Sequence, residues 1–237
     1  MLINPQELSQ NLDRLEEIEK VSLRLVTQAI YDYRTTAEEI FLEESDLVAD
    51  IGEDITREAL ERLGIPRIDQ RLFGKVDFKR ACYLFHPDFA LKQALFVDSK
   101  AEKVGGQGTA TLQISQLSMI VKQIRFGGDM EVPGKLPTIV NLKGESYLTT
   151  TLFVKYNYQE QDSGIVLKSI TVAALPNGML QEKYNPNTQD TIWIAGRNAP
   201  TLGEEFRVRL SFHRLKEKAN WRVQKIPMPP DEFFWSA

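Results

Sequence analysis

The sequence has few of the side chains that build disulfides and metal–thiolate sites. Its 237 residues include one cysteine, Cys82, and two histidines, His86 and His213. One cysteine excludes a disulfide within the chain and fits a reducing cytoplasm. We interpret Cys82, inside "KRACYLF", as a small core residue. Because a zinc site needs more cysteine or histidine than this, any metal would have to be bound by carboxylates.

Long apolar runs are also missing. No apolar stretch approaches the roughly 20 residues that a helix needs to cross a bilayer, and the first residues lack the apolar segment of a secretory signal. With 42% apolar and 26% charged residues, the composition is that of an ordinary globular protein. We therefore predict a cytoplasmic protein without a membrane partner, folded as a single domain over residues 1–237.

Positive charge is scarce in the first quarter of the chain. The formal net charge is −4, but residues 1–63 carry 16 acidic and six basic side chains, so the rest of the chain is net positive. Residues 195–226 carry eight basic and three acidic side chains. A local basic patch is sufficient for a polyanion partner despite the acidic pI. A solvated basic face is the alternative interpretation.

Hydrophobic periodicity predicts an α/β or α+β domain with a mixed central sheet flanked by helices. The first part, residues 1–63, has the spacing of a long amphipathic helix or a pair of helices, followed by a helix over about residues 50–63. The second part, residues 72–225, is predicted to hold the sheet. In order, its segments are a hairpin from residues 75–85 and 91–101, a helix over residues 109–124, a loop at "GGDMEVPGKLP", strands at "YLTTTLFVKYNYQ" and "IVLKSITVAALP", and a strand with a short basic helix at "EEFRVRLSFHRL".

The stretch "ALFVDSKAEK", residues 94–103, ends an apolar strand in an acid and a base. Side chains at i and i+2 of a strand share a face, so Asp98 and Lys100 project together. The hairpin can bring Asp77 beside them. Two neighbouring carboxylates repel unless a cation lies between them, and Mg²⁺ prefers one or two carboxylates with water and phosphate oxygens. Since a lysine can orient water and stabilise phosphate charge, these residue types suit phosphodiester hydrolysis.

The acid-x-lysine pattern alone is weak, because an exposed ion pair at a strand end has the same residues. A second triplet, Asp77-Phe78-Lys79, occurs in the same hairpin. Glu53 on the preceding helix is a further candidate carboxylate, with a solvated helix face as its alternative.

Several stretches together resemble the SfiI-like type II restriction endonucleases of the PD-(D/E)xK nuclease superfamily. The resemblance runs from about residue 10 to residue 225 and is carried, in order, by "LEEIEKVSLRLVTQAI", "EDITREAL", "GKVDFKRACYL", "LFVDSKA", "TLQISQLSM", "QEKYNPNTQD", "AGRNAPTLGEEFRVRL" and "RLKEKANWRVQ". It implies a restriction-endonuclease-like PD-(D/E)xK core. It also implies Mg²⁺-dependent attack of water on double-stranded DNA, leaving 5′-phosphate and 3′-hydroxyl ends.

The resemblance assigns roles by position. Asp77 and Asp98 become the metal-binding acids, with the backbone carbonyl of Ser99 as a further ligand. Lys100 becomes the catalytic lysine, and Glu53 an additional acid of the site. Where the motif has a proline, Val76 precedes Asp77.

Arginines after residue 195 fall on the family's base-reading positions: Arg197 in "AGRNAP", and Arg207 and Arg209 in "FRVRL". An arginine fork matches the O6 and N7 acceptors of guanine. The resemblance implies a GC-rich, interrupted palindromic site with GGCC-type half-sites. A palindromic site implies at least a homodimer, and the resemblance implies a homodimer or homotetramer. No small-molecule substrate is expected. The loop "AEKVGGQGTA", longer here than in the family, leaves the exact site open.

Two other hypotheses remain open at the level of sequence. A repair or recombination nuclease of the same fold would read DNA structure and would need no arginines aimed at bases. A non-catalytic DNA-binding protein would hold Asp77, Asp98 and Lys100 too far apart to share a metal.

Overall fold

A computed structural model describes most of the chain. The residues described are 1–43, 48–68, 76, 78–105, 108–162, 164–195, 206–228 and 232–237. Helices within these ranges are α1 (Leu12–Asp32), α2 (Arg34–Glu43), α3 (Val48–Glu61), α4 (Gln181–Tyr184) and α5 (Phe212–Lys218). The strands are β1 (Phe78–His86), β2 (Phe89–Lys103), β3 (Thr109–Gln113), β4 (Ile120–Arg125), β5 (Gly128–Pro133), β6 (Ile139–Leu142), β7 (Glu145–Gln161), β8 (Gly164–Leu175), β9 (Trp193–Ile194), β10 (Arg207–Ser211) and β11 (Val223–Pro227).

A mixed six-stranded sheet forms the centre of the fold. Its strand order is β1-β2-β7-β8-β11, and β6 pairs with the first residues of β7. Strands β2 and β7 run parallel, whereas the other neighbours in this sheet run antiparallel. A three-stranded sheet, β3-β10-β9, and a hairpin of β4 and β5 complete the described strands.

Apolar side chains pack against both faces of the central sheet. On one face, helices α1 to α3 form a core with the sheet that contains Phe41, Val97 and Tyr156. On the other face, the three-stranded sheet forms a second core that contains Leu112 and Phe153. Because β7 has cover on both faces, eleven consecutive residues of it are buried. This explains why "TTTLFVKYNY" lacks the strict alternation of a strand with one wet face.

Several sequence predictions are confirmed. The amphipathic region before residue 44 is a pair of helices, and the helix after it ends before Gly64, whose φ of 64° suits a residue that follows a helix. Strands β1 and β2 form the predicted hairpin, and β10 runs into the short helix α5. Cys82 is buried, and burial raises the pKa of its thiol to about 12, so it is an unreactive core residue.

The predicted helix over residues 109–124 is wrong. Strand β3, a 3₁₀ turn at Ile114–Gln116 and strand β4 occupy these positions instead. The buried residues Ala110 and Leu112 alternate with partly exposed ones, and the buried Met119 and Val121 flank the exposed Ile120. That period of two is a strand signal, and the turn between the strands shifts its phase enough to imitate helical spacing.

The predicted loop at "GGDMEVPGKLP" is also wrong in its first half. Residues Gly128–Pro133 form β5, which pairs with β4 along its whole length. The two turn residues, Phe126 and Gly127, both have positive φ, at 53° and 78°. Two such residues close a tight hairpin, so the glycines here mark the turn and do not interrupt pairing.

Within the described residues, none of the helices is both long enough and apolar enough to pass through a bilayer.

A buried charge pair joins the first helix to the last strand. Arg222, which directly precedes β11, places Nη2 2.6 Å from Oε2 of Glu19 on α1, and both side chains are fully buried. Oε1 of Glu19 accepts a hydrogen bond from the backbone N–H of Asn177. Burial raises the pKa of Glu19, and the Arg222 charge opposes that rise. Each partner is costly to bury alone, so the pair fixes how α1 lies against the sheet.

Arg222→Met is therefore expected to lower the free energy of unfolding by about 3–5 kcal/mol, because it leaves the Glu19 carboxylate buried without its main cation. Chemical denaturation measures the loss. Arg57→Met is the matched control, since Arg57 pairs with Asp54 on the surface at 2.8 Å and should cost less than about 1 kcal/mol. Equal losses in the two variants would contradict the role given to the buried pair.

Candidate active site

The end of β2 presents an acid and a base on the face that carries the three-stranded sheet. Asp98 and Lys100 lie two residues apart in this strand and therefore point the same way. The side chain of Asp98 is buried, and Lys100 is partly buried. Phe78 at the start of β1 pairs with Val97, the residue that precedes Asp98. Asp77 itself lies outside the described residues.

The Lys100 ammonium is fixed by a backbone carbonyl. Its Nζ donates to the carbonyl oxygen of Thr111 at 2.6 Å. Thr111 belongs to β3, so the contact spans from the central sheet to the three-stranded sheet. A charged donor makes this hydrogen bond stronger than a neutral one.

A second lysine lies beside Lys100. The parallel pairing of β2 with β7 aligns Lys100 with Lys155, and neighbours in a sheet share a face. The side chain of Lys155 is fully buried, with Nζ 2.6 Å from Oε2 of Glu102 and 2.7 Å from the carbonyl oxygen of Thr109. Burial lowers the pKa of Lys155, the Glu102 hydrogen bond and charge raise it, and the charges of Arg209 and Lys100 lower it further.

The predicted base-reading arginines lie on the strand next to β3. Arg207 is exposed and Arg209 partly buried, with buried Val208 between them, so the pair shares one side of β10. Strand β10 runs antiparallel to β3, with Arg209 opposite Thr111. Arg197 lies outside the described residues.

Glu53 lies on α3 and faces the beginning of β1 across a cavity. It borders this cavity of about 320 Å³ together with Arg57, Phe78 and Arg80. Among the described residues, the lining of this cavity includes neither Asp98 nor Lys100. Its part in the chemistry stays a prediction.

The donor chemistry of the site fits a hard divalent cation. The Asp98 side chain, 4% exposed, supplies carboxylate oxygen, and the following residue, Ser99, supplies a backbone carbonyl. Oxygen donors of these two kinds are those that Mg²⁺ accepts. A carboxylate this deeply buried is stabilised in its charged form by a nearby cation. Asp98 and Ser99 are thus suitable metal ligands.

Sequence reasoning missed Lys155 and Glu102. The available signal was a single lysine inside "TTTLFVKYNYQ", a run of β-branched and aromatic residues. A charged residue in such a run is either a solvent-facing position or a buried one with a dedicated partner. The partner, Glu102, lies 53 positions earlier in the chain, and the register of β2 against β7 brings the two together.

Comparison with known proteins identifies the family. The family model described as "Type II restriction enzyme SfiI" matches residues 31–226. The chain is 35% identical over 241 aligned positions to the type II restriction enzyme SfiI of Streptomyces fimbriatus, an alignment that covers 95% of this chain and 88% of that protein. The chain belongs to the SfiI family of type II restriction endonucleases.

Solved structures agree with this family membership. The crystal structure of tetrameric SfiI endonuclease bound to cognate DNA superposes with a TM-score of 0.84 at 33% identity, covering 98% of this chain and 90% of that one. The DNA-bound restriction endonuclease BglI shares the fold, with a TM-score of 0.75 at 18% identity, covering 96% and 95% of the two chains. The predicted fold class and the predicted enzyme class are confirmed.

Proposed function

We propose that this type II restriction endonuclease cuts both strands of DNA at a GC-rich, interrupted palindrome, requires Mg²⁺, and leaves 5′-phosphate and 3′-hydroxyl ends. The observation that carries the proposal is that Asp98 and Lys100 share one face of β2. Lys100 donates to the carbonyl of Thr111 on β3, and Thr111 lies opposite Arg209 on the neighbouring strand β10. The strands that carry the groups proposed for hydrolysis, β2, and for base reading, β10, thus both contact strand β3.

The metal is proposed to be held by Asp98 and the Ser99 carbonyl, with Asp77 as the second carboxylate. When bound, it supplies charge that stabilises the phosphate in the transition state and acidifies an attacking water. Lys100 orients that water or stabilises the developing charge, and its contact with Thr111 holds the ammonium at the site. Glu53 is proposed as an additional acid from the family resemblance.

Base reading is proposed for Arg197, Arg207 and Arg209. Both strand arginines point to one side of β10, where their guanidinium groups can donate in pairs to O6 and N7 of guanine. A DNA-bound, tetrameric relative supports double-stranded DNA and further copies of this chain as partners. A palindromic site requires at least a dimer.

The remaining proposals concern the whole chain. We infer that residues 1–237 act as a single domain, since helices from the first 63 residues form a common core with the sheet. A cytoplasmic location is supported by the single, buried cysteine. No small-molecule substrate is proposed.

Asp98→Asn is expected to bind DNA and fail to cut it. Loss of the carboxylate weakens the metal site and removes several kcal/mol of transition-state stabilisation, a loss of about a thousandfold in rate. Single-turnover cleavage of a long DNA with Mg²⁺, then with EDTA, measures the effect, and calorimetry with Mg²⁺ alone measures the metal site.

Asp88→Asn serves as the control, because Asp88 is exposed in the turn at the other end of the same hairpin. It should cut like the unmodified protein. Full activity of Asp98→Asn would refute the assignment of the metal site. Cutting that is unaffected by EDTA would refute the metal requirement.

Arg207→Gln is expected to relax the preference for guanine at one position of the site, by about 1–3 kcal/mol of discrimination. Competition binding against DNA sites altered one base pair at a time measures this. Lys216→Gln, which removes an exposed positive charge from α5, should weaken binding evenly if it has any effect. If Arg207→Gln also weakens binding to the same extent on every altered site, Arg207 contacts the phosphate backbone and does not read a base.

A further inference from the structure

Lys155 is a fully buried lysine in the middle of a buried strand. An apolar residue of similar size would fill this position without the cost of desolvating a charge. The proposed active-site triplet of Asp98, Ser99 and Lys100 is complete without Lys155. Its position therefore points to a purpose other than packing.

Lys155 contacts two other strands. Glu102 lies on β2, the strand that carries Asp98 and Lys100, and Thr109 lies on β3. One ammonium group thus holds the edge of β3 against the strand that carries the chemistry. Glu102 is partly exposed, so its carboxylate is reached by water on one side while it holds the buried lysine on the other.

Two lysines bind the same edge of β3. Lys155 donates to the carbonyl of Thr109, and Lys100 donates to the carbonyl of Thr111, two residues further along. Carbonyls two residues apart in a strand point to the same edge. Since β3 is an edge strand of the three-stranded sheet, this pair of contacts links that sheet to the central one.

Strand β10, which carries the proposed base-reading arginines, pairs with β3. In this pairing, Arg209 lies opposite Thr111 and Ser211 opposite Thr109. A shift of β10 therefore moves the carbonyls that hold both lysines.

Resting on the proposed function, we propose that Lys155, held by Glu102, is a positioning residue that couples base reading to cleavage. It fixes β3 at Thr109, so that docking of Arg207 and Arg209 on the correct bases sets the position of Lys100 through Thr111. With a wrong base, β10 and β3 settle differently and Lys100 is misplaced. The pair then contributes to discrimination at the cleavage step, beyond discrimination in binding.

The test uses Lys155→Met and Glu102→Gln in the full chain, with the site first mapped from the cutting pattern of the unmodified protein. For each variant, the dissociation constant and the single-turnover rate at saturating enzyme are measured on that site and on sites with one altered base pair. We expect cognate binding to stay within a few-fold and cognate cleavage to fall about tenfold or more, a size typical of coupling through a packed network. The ratio of cognate to altered-site cleavage rates should also fall. Lys155→Arg, which keeps the charge, should restore part of that ratio.

Lys103→Met is the matched control, because Lys103 lies on β2 and pairs with Glu160 at 2.7 Å with both side chains exposed. It should leave both rates unchanged. If Lys155→Met and Glu102→Gln slow cognate and altered sites in equal proportion, the role is structural and the proposal is overturned. Unchanged discrimination in Glu102→Gln overturns it even where Lys155→Met does not fold. Absence of metal-dependent cutting by the unmodified protein would refute the proposed function instead.

Discussion

Two charged hydrogen bonds link the central sheet to the three-stranded sheet. Lys100 and Lys155 extend from neighbouring strands of the central sheet and donate to carbonyls of Thr111 and Thr109 on β3. The apolar packing between the two sheets is non-directional and sets no fine register. Charged donors aimed at backbone carbonyls supply that register. The two hydrogen bonds thereby fix the position of β2, which carries Asp98 and Lys100, relative to β3 and its neighbour β10, which carries the arginines.

Local features of the sequence were sufficient to predict which of the candidate side chains share a face. Strand geometry alone places Asp98 and Lys100 on one face and Arg207 and Arg209 on one side, and the structure agrees. The family resemblance was needed to prefer this over a surface ion pair. Residues 109–124 show where local patterns fail, since two short strands joined by a turn have the same composition and nearly the same spacing as one helix.

Long-range register explains what the sequence did not reveal. Lys155 meets Glu102 and Lys100 because β7 runs parallel to β2 at one particular alignment. A slip of one residue would turn Lys155 to the opposite face, into the core with Tyr156 and the helices. No local pattern specifies that alignment. It is set by which apolar side chains fit each core, and that is a property of the assembled fold.

The parallel pairing of β2 and β7 also bears on how the chain folds. Phe96 pairs with Thr151, and everything from β3 to β6 lies between them in sequence. Closing so long a loop costs chain entropy before any contact is gained, whereas the β1–β2 and β7–β8 hairpins close locally. Local closure therefore favours formation of the two hairpins before β2 and β7 join. Because that joining places Lys100 beside Lys155, a chain in which β2 and β7 have not yet paired lacks the two neighbouring lysines that bind β3.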